Sequence, residues 1–208
     1  MSYQISAKKI ELPIETKYLD FLYKIIKKEN SDAIVSSFGK DLFIQYIEAL
    51  LNSKNINLYI CELNGKSIGY AILSEKPSYL ISNFKKLRVR ILINLIINFK
   101  IKSLLNLFLI IFKIDLILLS SKKRKLIDGG HNLNLLAIDT DYQSKGIGRN
   151  FMKIVFESLS IISKINHLTV EANNDKTGKF YEEKLGFTYL GKKIRFSTNQ
   201  KIYIKNFI

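Results

Sequence analysis

Apolar residues change their spacing several times along the chain, and each change marks an element. Residues 3–10 read as a first strand. Leu19, Leu22, Ile25 and Ile26 then recur at helical spacing between Thr16 and Lys28, with Thr16 placed as the cap. A second helix is predicted over Lys40–Leu51. Two apolar, strand-like runs between Asn57 and Leu73 flank Asn64-Gly65, a pair that tolerates the positive φ of a type I′ turn, so a hairpin is predicted there. After Gly129-Gly130 the pattern gives a strand over 132–138, a helix over 146–162 and a strand His167–Ala172. A helix over 176–185 and the strands Phe187–Ile194 and Lys201–Lys205 complete it. Strands interleaved with helices predict α/β or α+β layering.

Between hairpin and glycine pair the character differs. Phe84 to Leu119 is dense in Ile, Leu and Phe, punctuated by Lys, Arg and Asn. Lys100 and Lys102 split the apolar run near its middle, which argues against a simple membrane span. Drawn as one helix, Asn94, Asn98, Lys102, Asn106 and Lys113 share a narrow polar stripe. Two readings stay open: helices packed on the core or on another subunit of a homodimer, or an amphipathic segment that lies on an anionic membrane or covers a substrate site. Ser120-Ser-Lys-Lys-Arg-Lys125 reads as an exposed basic loop, either solvated or recognising phosphate or lipid.

Composition sharpens this picture. With 208 residues, 47% of them hydrophobic, the chain suffices for one well-packed domain over 1–208, with 76–130 as an elaboration within it. The net charge is +15, and residues 76–130 hold twelve of the 33 basic residues but only two of the 18 acidic ones, Asp115 and Asp128. The charge therefore belongs to a local feature, and with no recognition motif beside it nucleic acid is not an expected partner. A single cysteine, Cys61, excludes an internal disulfide and suits a reducing compartment; it reads as a buried strand residue. The N-terminal residues lack the apolar core of a secretory signal, so a cytoplasmic location is expected, with contact at the inner membrane face through 84–125 as an extension.

The chain has ten glycines and places two of them, Gly146 and Gly148, between the apolar run Leu133–Ile138 and a helix carrying Ile147, Phe151, Ile154 and Val155. A helix start exposes unpaired N–H groups and the positive end of the helix dipole, and glycine lets an anion approach those donors. Gln143, Lys145 and Arg149 add side-chain donors, and no acidic side chain lies between Gln143 and Gly148. A tight turn that needs glycine is the plainer reading. The dinucleotide fingerprint would need a third glycine at position 151, which is Phe, and the Gly-x-x-x-x-Gly-Lys-Ser/Thr loop is absent.

Gln143-x-x-Gly-x-Gly148 after an apolar strand resembles the acetyl-CoA signature of the GNAT superfamily of N-acetyltransferases. Asn174-Asp-Lys-Thr-Gly-Lys-Phe-Tyr-Glu-Glu-Lys-Leu-Gly-Phe187 is similar to that family's second motif, with Thr177 where alanine is usual. Together the two motifs cover 132–196. The resemblance implies an α+β layered GNAT fold: a central mixed, mostly antiparallel sheet flanked by helices, here with a helical insertion over 76–130 between the third and fourth strands. It implies that the backbone at Ala137 and Ile138 holds the pantetheine arm of acetyl-CoA. The loop Gln143, Ser144, Lys145, Gly146, Ile147, Gly148 and Arg149 would hold the pyrophosphate, and Asn174 would touch the cofactor. Tyr181 would stand near the sulfur. Its hydroxyl suits a general acid, because a phenol holds its proton to higher pH than the thiol that leaves; a packing aromatic is the alternative.

Many family members place a glutamate on the strand before the glycine loop. Here that stretch reads Asp128-Gly-Gly-His-Asn-Leu-Asn, so His131, Asp128, Glu171 or a water chain is left to act as base. No metal is expected. The insertion and the ending Lys201-Ile-Tyr-Ile-Lys205 loosely resemble acetyltransferases associated with bacterial surface-polysaccharide synthesis, which implies an amino-sugar acceptor on a nucleotide or lipid carrier. A protein N-terminal or lysine acetyltransferase and a non-catalytic acyl-CoA-binding or membrane-surface module are the other readings.

Overall fold

The two runs around Asn64-Gly65 form the hairpin that anchors the sheet, β2 (Ile56–Leu63) and β3 (Lys66–Ser74), and both turn residues have positive φ, 51° and 77°. The computed structural model describes residues 4–31, 33–97, 100–112, 114–162, 165–195 and 200–207. β1 (Ile5–Ile10) pairs with β2, and β4 (His131–Ile138) pairs with β3, all antiparallel. β5 (His167–Ala172) joins β4 in parallel, and β6 (Thr188–Lys193) and β7 (Gln200–Asn206) complete a seven-stranded sheet of order β1-β2-β3-β4-β5-β7-β6. The mixed, mostly antiparallel sheet flanked by helices is the GNAT arrangement expected from the motifs.

Helices cover both faces. α1 (Thr16–Glu29) and α2 (Lys40–Leu51) lay Leu22, Ile26, Phe43 and Ile47 on Ile60, Tyr70 and Ile72. Leu22 and Ile26 are fully buried, each contributing about 1.5–3 kcal/mol. α6 (Ile147–Ile162) and the short α7 (Asp175–Lys179) cover the other face, where Phe151, Met152 and Val155 meet Cys61, Leu133 and Val170. Cys61 is buried and unpaired by any disulfide, and burial pushes its thiol up to about 12.

The insertion lies between β3 and β4 as α3 (Pro77–Ile97), α4 (Ile101–Ile111) and α5 (Ser121–Gly129). Ile91, Leu95 and Leu107 face the core under α1 and α2. Leu116, Leu119 and Ile127 pack instead on Leu190, Ile202 and Ile204 of the far strands. No described helix is long and apolar enough to cross a membrane.

Four local expectations change. Thr16 is the first helical residue and Glu15 is the cap, because its carbonyl accepts from the N–H groups of Tyr18 (3.0 Å) and Leu19 (3.3 Å), the residues that turn inward. The basic run 121–125 is not a loop but the start of α5; the Ser120 side chain accepts from the Lys123 N–H, and burial of Ile127 fixes the helix. The polar stripe of the insertion does not form, since the chain breaks between α3 and α4: Asn106 is buried while Lys102 is exposed. Asn98 and Lys113 of that stripe lie outside the described residues. Finally, the helix expected over 176–185 is α-helical only to Lys179 and becomes π-helical over Phe180–Lys184, so Asn174 and Tyr181 are not two plain α-turns apart.

Candidate active site

β4 and β5 are bonded at three positions only, His131 to Leu168, Asn132 to Thr169 and Leu133 to Val170. Beyond Leu133 each strand keeps its outer neighbour, β3 or β7, and the two part. The cause is a bulge: against β3 the register shifts between Ile72 and Leu73, so Asn134 is an extra residue that bends β4 away. A wedge thus opens in the middle of the sheet, edged by the backbone of 134–138. Those N–H and C=O groups need partners, and a narrow arm carrying amide groups can supply them as an added strand would. Ala137 and Ile138 lie on this edge.

The chain leaves the wedge through a turn at Thr140–Tyr142 and enters the glycine loop. Ser144 and Gly146 both have positive φ, 63° and 73°. The first helical bond of α6 runs from the Asn150 N–H to the Gly146 carbonyl (3.1 Å), which leaves the N–H groups of Ile147, Gly148 and Arg149 without helical acceptors. A Cβ built on Gly148 would lie 3.4 Å from Phe180 and 3.6 Å from Ile138, ordinary contact distances. The protein itself therefore leaves room for alanine there, and what the missing Cβ keeps open is the approach to the N–H groups. Lys145, Arg149 and Lys66 give the rim a positive charge; Lys66 donates to the Tyr142 hydroxyl (2.9 Å) and Lys145 lies 5.7 Å from the Tyr142 ring centre.

The loop is held from a distance the sequence does not show. Glu29, at the end of α1, accepts from the Thr140 N–H (3.0 Å) and from Gln143 Nε2 (3.3 Å), while Lys28 bridges to Asp139 at 2.8 Å. Gln143 Nε2 also donates to the Ile138 carbonyl (2.8 Å), so this side chain ties loop to strand end rather than standing free at the rim. Asn174 caps α7 by accepting from the Thr177 N–H (2.8 Å), which leaves its amide N–H groups for a ligand.

Tyr181 is buried among Phe180, Phe187 and Tyr203, ring centres 5.6, 5.7 and 6.3 Å away. Burial pushes its hydroxyl above the ordinary phenol value. Tyr70 of β3, opposite Ala137, is raised first by burial and then by Tyr181 and Glu29. Tyr70 donates to Asn30 Oδ1 at 2.5 Å. Neither Glu29 nor Tyr70 was flagged by any sequence pattern; only their distance from the motifs in the chain hid them.

The three candidate bases end up in different settings. His131 is half-buried at the start of β4; burial lowers its imidazole, and its Nε2 has no hydrogen-bond partner among the described residues. It lies three residues before the strands part, about 10 Å along the strand. Asp128 is exposed near the end of α5. Glu171 stands beside the wedge but in an ion-pair cluster, with Lys193 at 2.7 Å and Arg195 at 3.5 Å; both cations also hold Asp115, at 3.0 and 3.1 Å. Burial alone would raise the Glu171 carboxyl, yet the two cations outweigh it and hold it below the usual carboxylate value. No three described His, Cys, Asp or Glu side chains gather as a metal site.

Residues 116–198, which span wedge, glycine loop and Tyr181, match the family model described as the acetyltransferase (GNAT) domain. The match to the GNAT domain covers this part of the chain, 83 of its 208 residues. The match and the shared fold together support an acetyl-CoA-dependent N-acetyltransferase. Solved structures share the whole fold at low identity. An acetyltransferase from Thermus thermophilus aligns with a TM-score of 0.59 and 11% identity over 98% of this chain and 97% of its own. The polyamine N-acetyltransferase of Drosophila melanogaster, which forms N-acetylagmatine, gives 0.62 and 8% over 98% and 100%. A ribosomal-protein alanine N-acetyltransferase from Escherichia coli gives 0.56 and 14% over 98% and 94%. No curated protein matches the chain by sequence.

Proposed function

We propose that this GNAT enzyme acetylates the amine of an amino sugar carried on a nucleotide or a lipid. The observation that carries the reading is the polar row on the sheet beside the wedge. Asn132 donates to Thr169 (2.9 Å) and Asn134 to Ser74 (3.0 Å), so four uncharged hydrogen-bonding side chains lie together there. Glu171, two residues past Thr169 and hence on the same face, is neutralised by Lys193 and Arg195. Ser74, Asn132 and Thr169 are buried and satisfied within the protein, so they form a neutral floor beside the wedge. With Glu171 paired as well, a neutral acceptor suits the site better than a polyamine, which would call for unpaired carboxylates. The basic insertion beside it suits the phosphates of a carrier.

In this reading the wedge holds the pantetheine arm along Ala137 and Ile138, and the N–H groups of Ile147, Gly148 and Arg149 take the pyrophosphate, with Ser144, Lys145, Gly146 and Gln143 shaping the loop. Asn174 supplies a further amide donor. The neutral amine attacks the thioester carbon, the C–S bond breaks, and Tyr181 gives its proton to the departing thiolate. The proton lost by the amine leaves through water towards His131, whose lowered pKa keeps the imidazole neutral near pH 7. The reading places the enzyme in the cytoplasm, in keeping with its single buried thiol.

Release of CoA thiol, measured with nucleotide-linked amino sugars, polyamines and peptide N-termini, tests it. The amino sugars should give kcat/KM values at least about 10²-fold above the other two classes. A preference for polyamines would show that Glu171 is available as an anionic recognition site, and a preference for peptides would replace the acceptor altogether.

A further inference from the structure

The insertion uses one side for the core and leaves the other bare. Fourteen large apolar side chains stand exposed among the described residues, and twelve of them lie between positions 89 and 118. On α3, Ile93, Ile96 and Ile97 recur three and four residues apart along one side, opposite Ile91 and Leu95, which are buried. On α4 and just past its end, Ile101, Phe108 and Phe112 are exposed too; Ile97 and Ile101 are 68% and 63% exposed, and the two phenylalanine rings lie 4.4 Å apart. Single exposed apolar residues are ordinary on a protein surface. Twelve of them gathered in one segment of thirty residues mark a docking face.

Charge selects the occupant. The only acidic residue between 76 and 127 is Asp115, and it is buried and paired with Lys193 and Arg195. Lys100, Lys102, Lys122 and Lys125 are exposed on the same insertion. Twelve basic and two acidic residues over 76–130 give this segment +10. A second copy of the chain would set +10 against +10, whereas an anionic surface neutralises it.

We propose that the outer side of α3 and α4 docks on the surface of an anionic lipid bilayer. The helices lie in the headgroup plane with Ile93, Ile97, Phe108 and Phe112 entering the acyl boundary. The lysines meet the lipid phosphates, their stems extended along the apolar face. No described helix is long and apolar enough to span the membrane. The inner side of the same helices packs into the core that includes Ala137 of β4, so docking brings the wedge close to the bilayer. The docking face does not depend on which acceptor is used.

The test is sedimentation of the full chain with phosphatidylcholine vesicles, with or without about 30% phosphatidylglycerol. The expected result is binding to the anionic vesicles at least about tenfold stronger than to neutral ones, weakened by salt. The variant Ile97→Asp with Phe108→Asp should lose that binding by about tenfold or more, and Lys100→Glu with Lys102→Glu should weaken it. Both variants should keep the thermal shift caused by acetyl-CoA, which shows that they fold. Unchanged vesicle binding by the Ile97→Asp, Phe108→Asp variant overturns the proposal, as does wild-type protein that ignores anionic vesicles. So does a lipid-free dimer abolished by that variant, which would make this face a contact between copies.

Discussion

Tyr181 carries the clearest residue-scale prediction. Its ring is packed on three sides by aromatic neighbours, so Tyr181→Phe keeps the packing and removes only the hydroxyl. Turnover at saturating acetyl-CoA should fall about 10²-fold or more, with acetyl-CoA affinity and thermal midpoint unchanged; a rate within twofold of wild type would leave the residue with packing alone. Because burial raises the hydroxyl's pKa, the acid stays protonated through the alkaline range, and kcat should show no falling limb from this group below about pH 10. The glycine loop gives a second prediction at this scale. Gly148→Ala meets only ordinary contacts within the protein, so the fold should persist while calorimetry shows acetyl-CoA affinity lowered by about tenfold or more. Gly146→Asp combines positive φ with a negative charge at the helix start and should abolish binding. Unchanged affinity in either folded variant would move the pyrophosphate elsewhere.

Among the elements, the link between insertion and sheet decides the most. The turn at 114–116 is bolted to the end of β6 by the Ile194 N–H, which donates to the Asp115 carbonyl (2.9 Å), and by two cations shared between Asp115 and Glu171. Asp115 is 4% exposed in its side chain and Lys193 12%, so removing one partner leaves a buried charge short of its counter-ion. Lys193→Ala should cost about 3 kcal/mol in urea unfolding, the scale for breaking a buried pair. The pH dependence has a definite sign. The Glu171 carboxyl titrates lower in the folded protein than in the unfolded chain, so its contribution is complete above about pH 4.3 and fades as pH falls through the folded value. Glu171→Gln should therefore lose less stability than wild type when the medium is acidified from pH 5 to about pH 3. Equal losses would remove Glu171 from the account.

At the scale of the whole molecule, the sheet is two blocks joined through a short parallel seam, three residue pairs between β4 and β5. A ligand laid in the wedge ties the blocks together and binds only the folded chain. Acetyl-CoA at 100 times its dissociation constant should therefore add about 2.7 kcal/mol, which for a chain of this length raises the thermal midpoint by roughly 5–10 °C. Scanning calorimetry with and without acetyl-CoA measures this before any acceptor is known. No shift at saturating ligand would contradict the placement of the donor in the wedge.

What the sequence determined by itself were the features whose signal is local. Spacing of apolar residues placed α1, α2, the hairpin and α6, because a helix or strand that buries one face must repeat with the period of its own backbone. The glycine pair was legible for a related reason, since a positive-φ turn and the helix start behind it are built from consecutive residues, whereas the π-helical turn over Phe180–Lys184 was not. Tertiary structure decided what depends on residues far apart. Glu29 reaches the glycine loop across 111 positions, and Gln143 answers it while tying the loop to β4. Tyr70 meets the site only because β3 pairs with β4, and the wedge exists only because Asn134 bulges out of that pairing. Glu171 read as a free base in the chain becomes half of a charge cluster once β5, β6 and the insertion meet, and the run 121–125 becomes helix once Ile127 finds Leu190 and Ile202. Pairings of this kind leave no periodicity in the sequence, since the partner that fixes each residue is supplied by the fold.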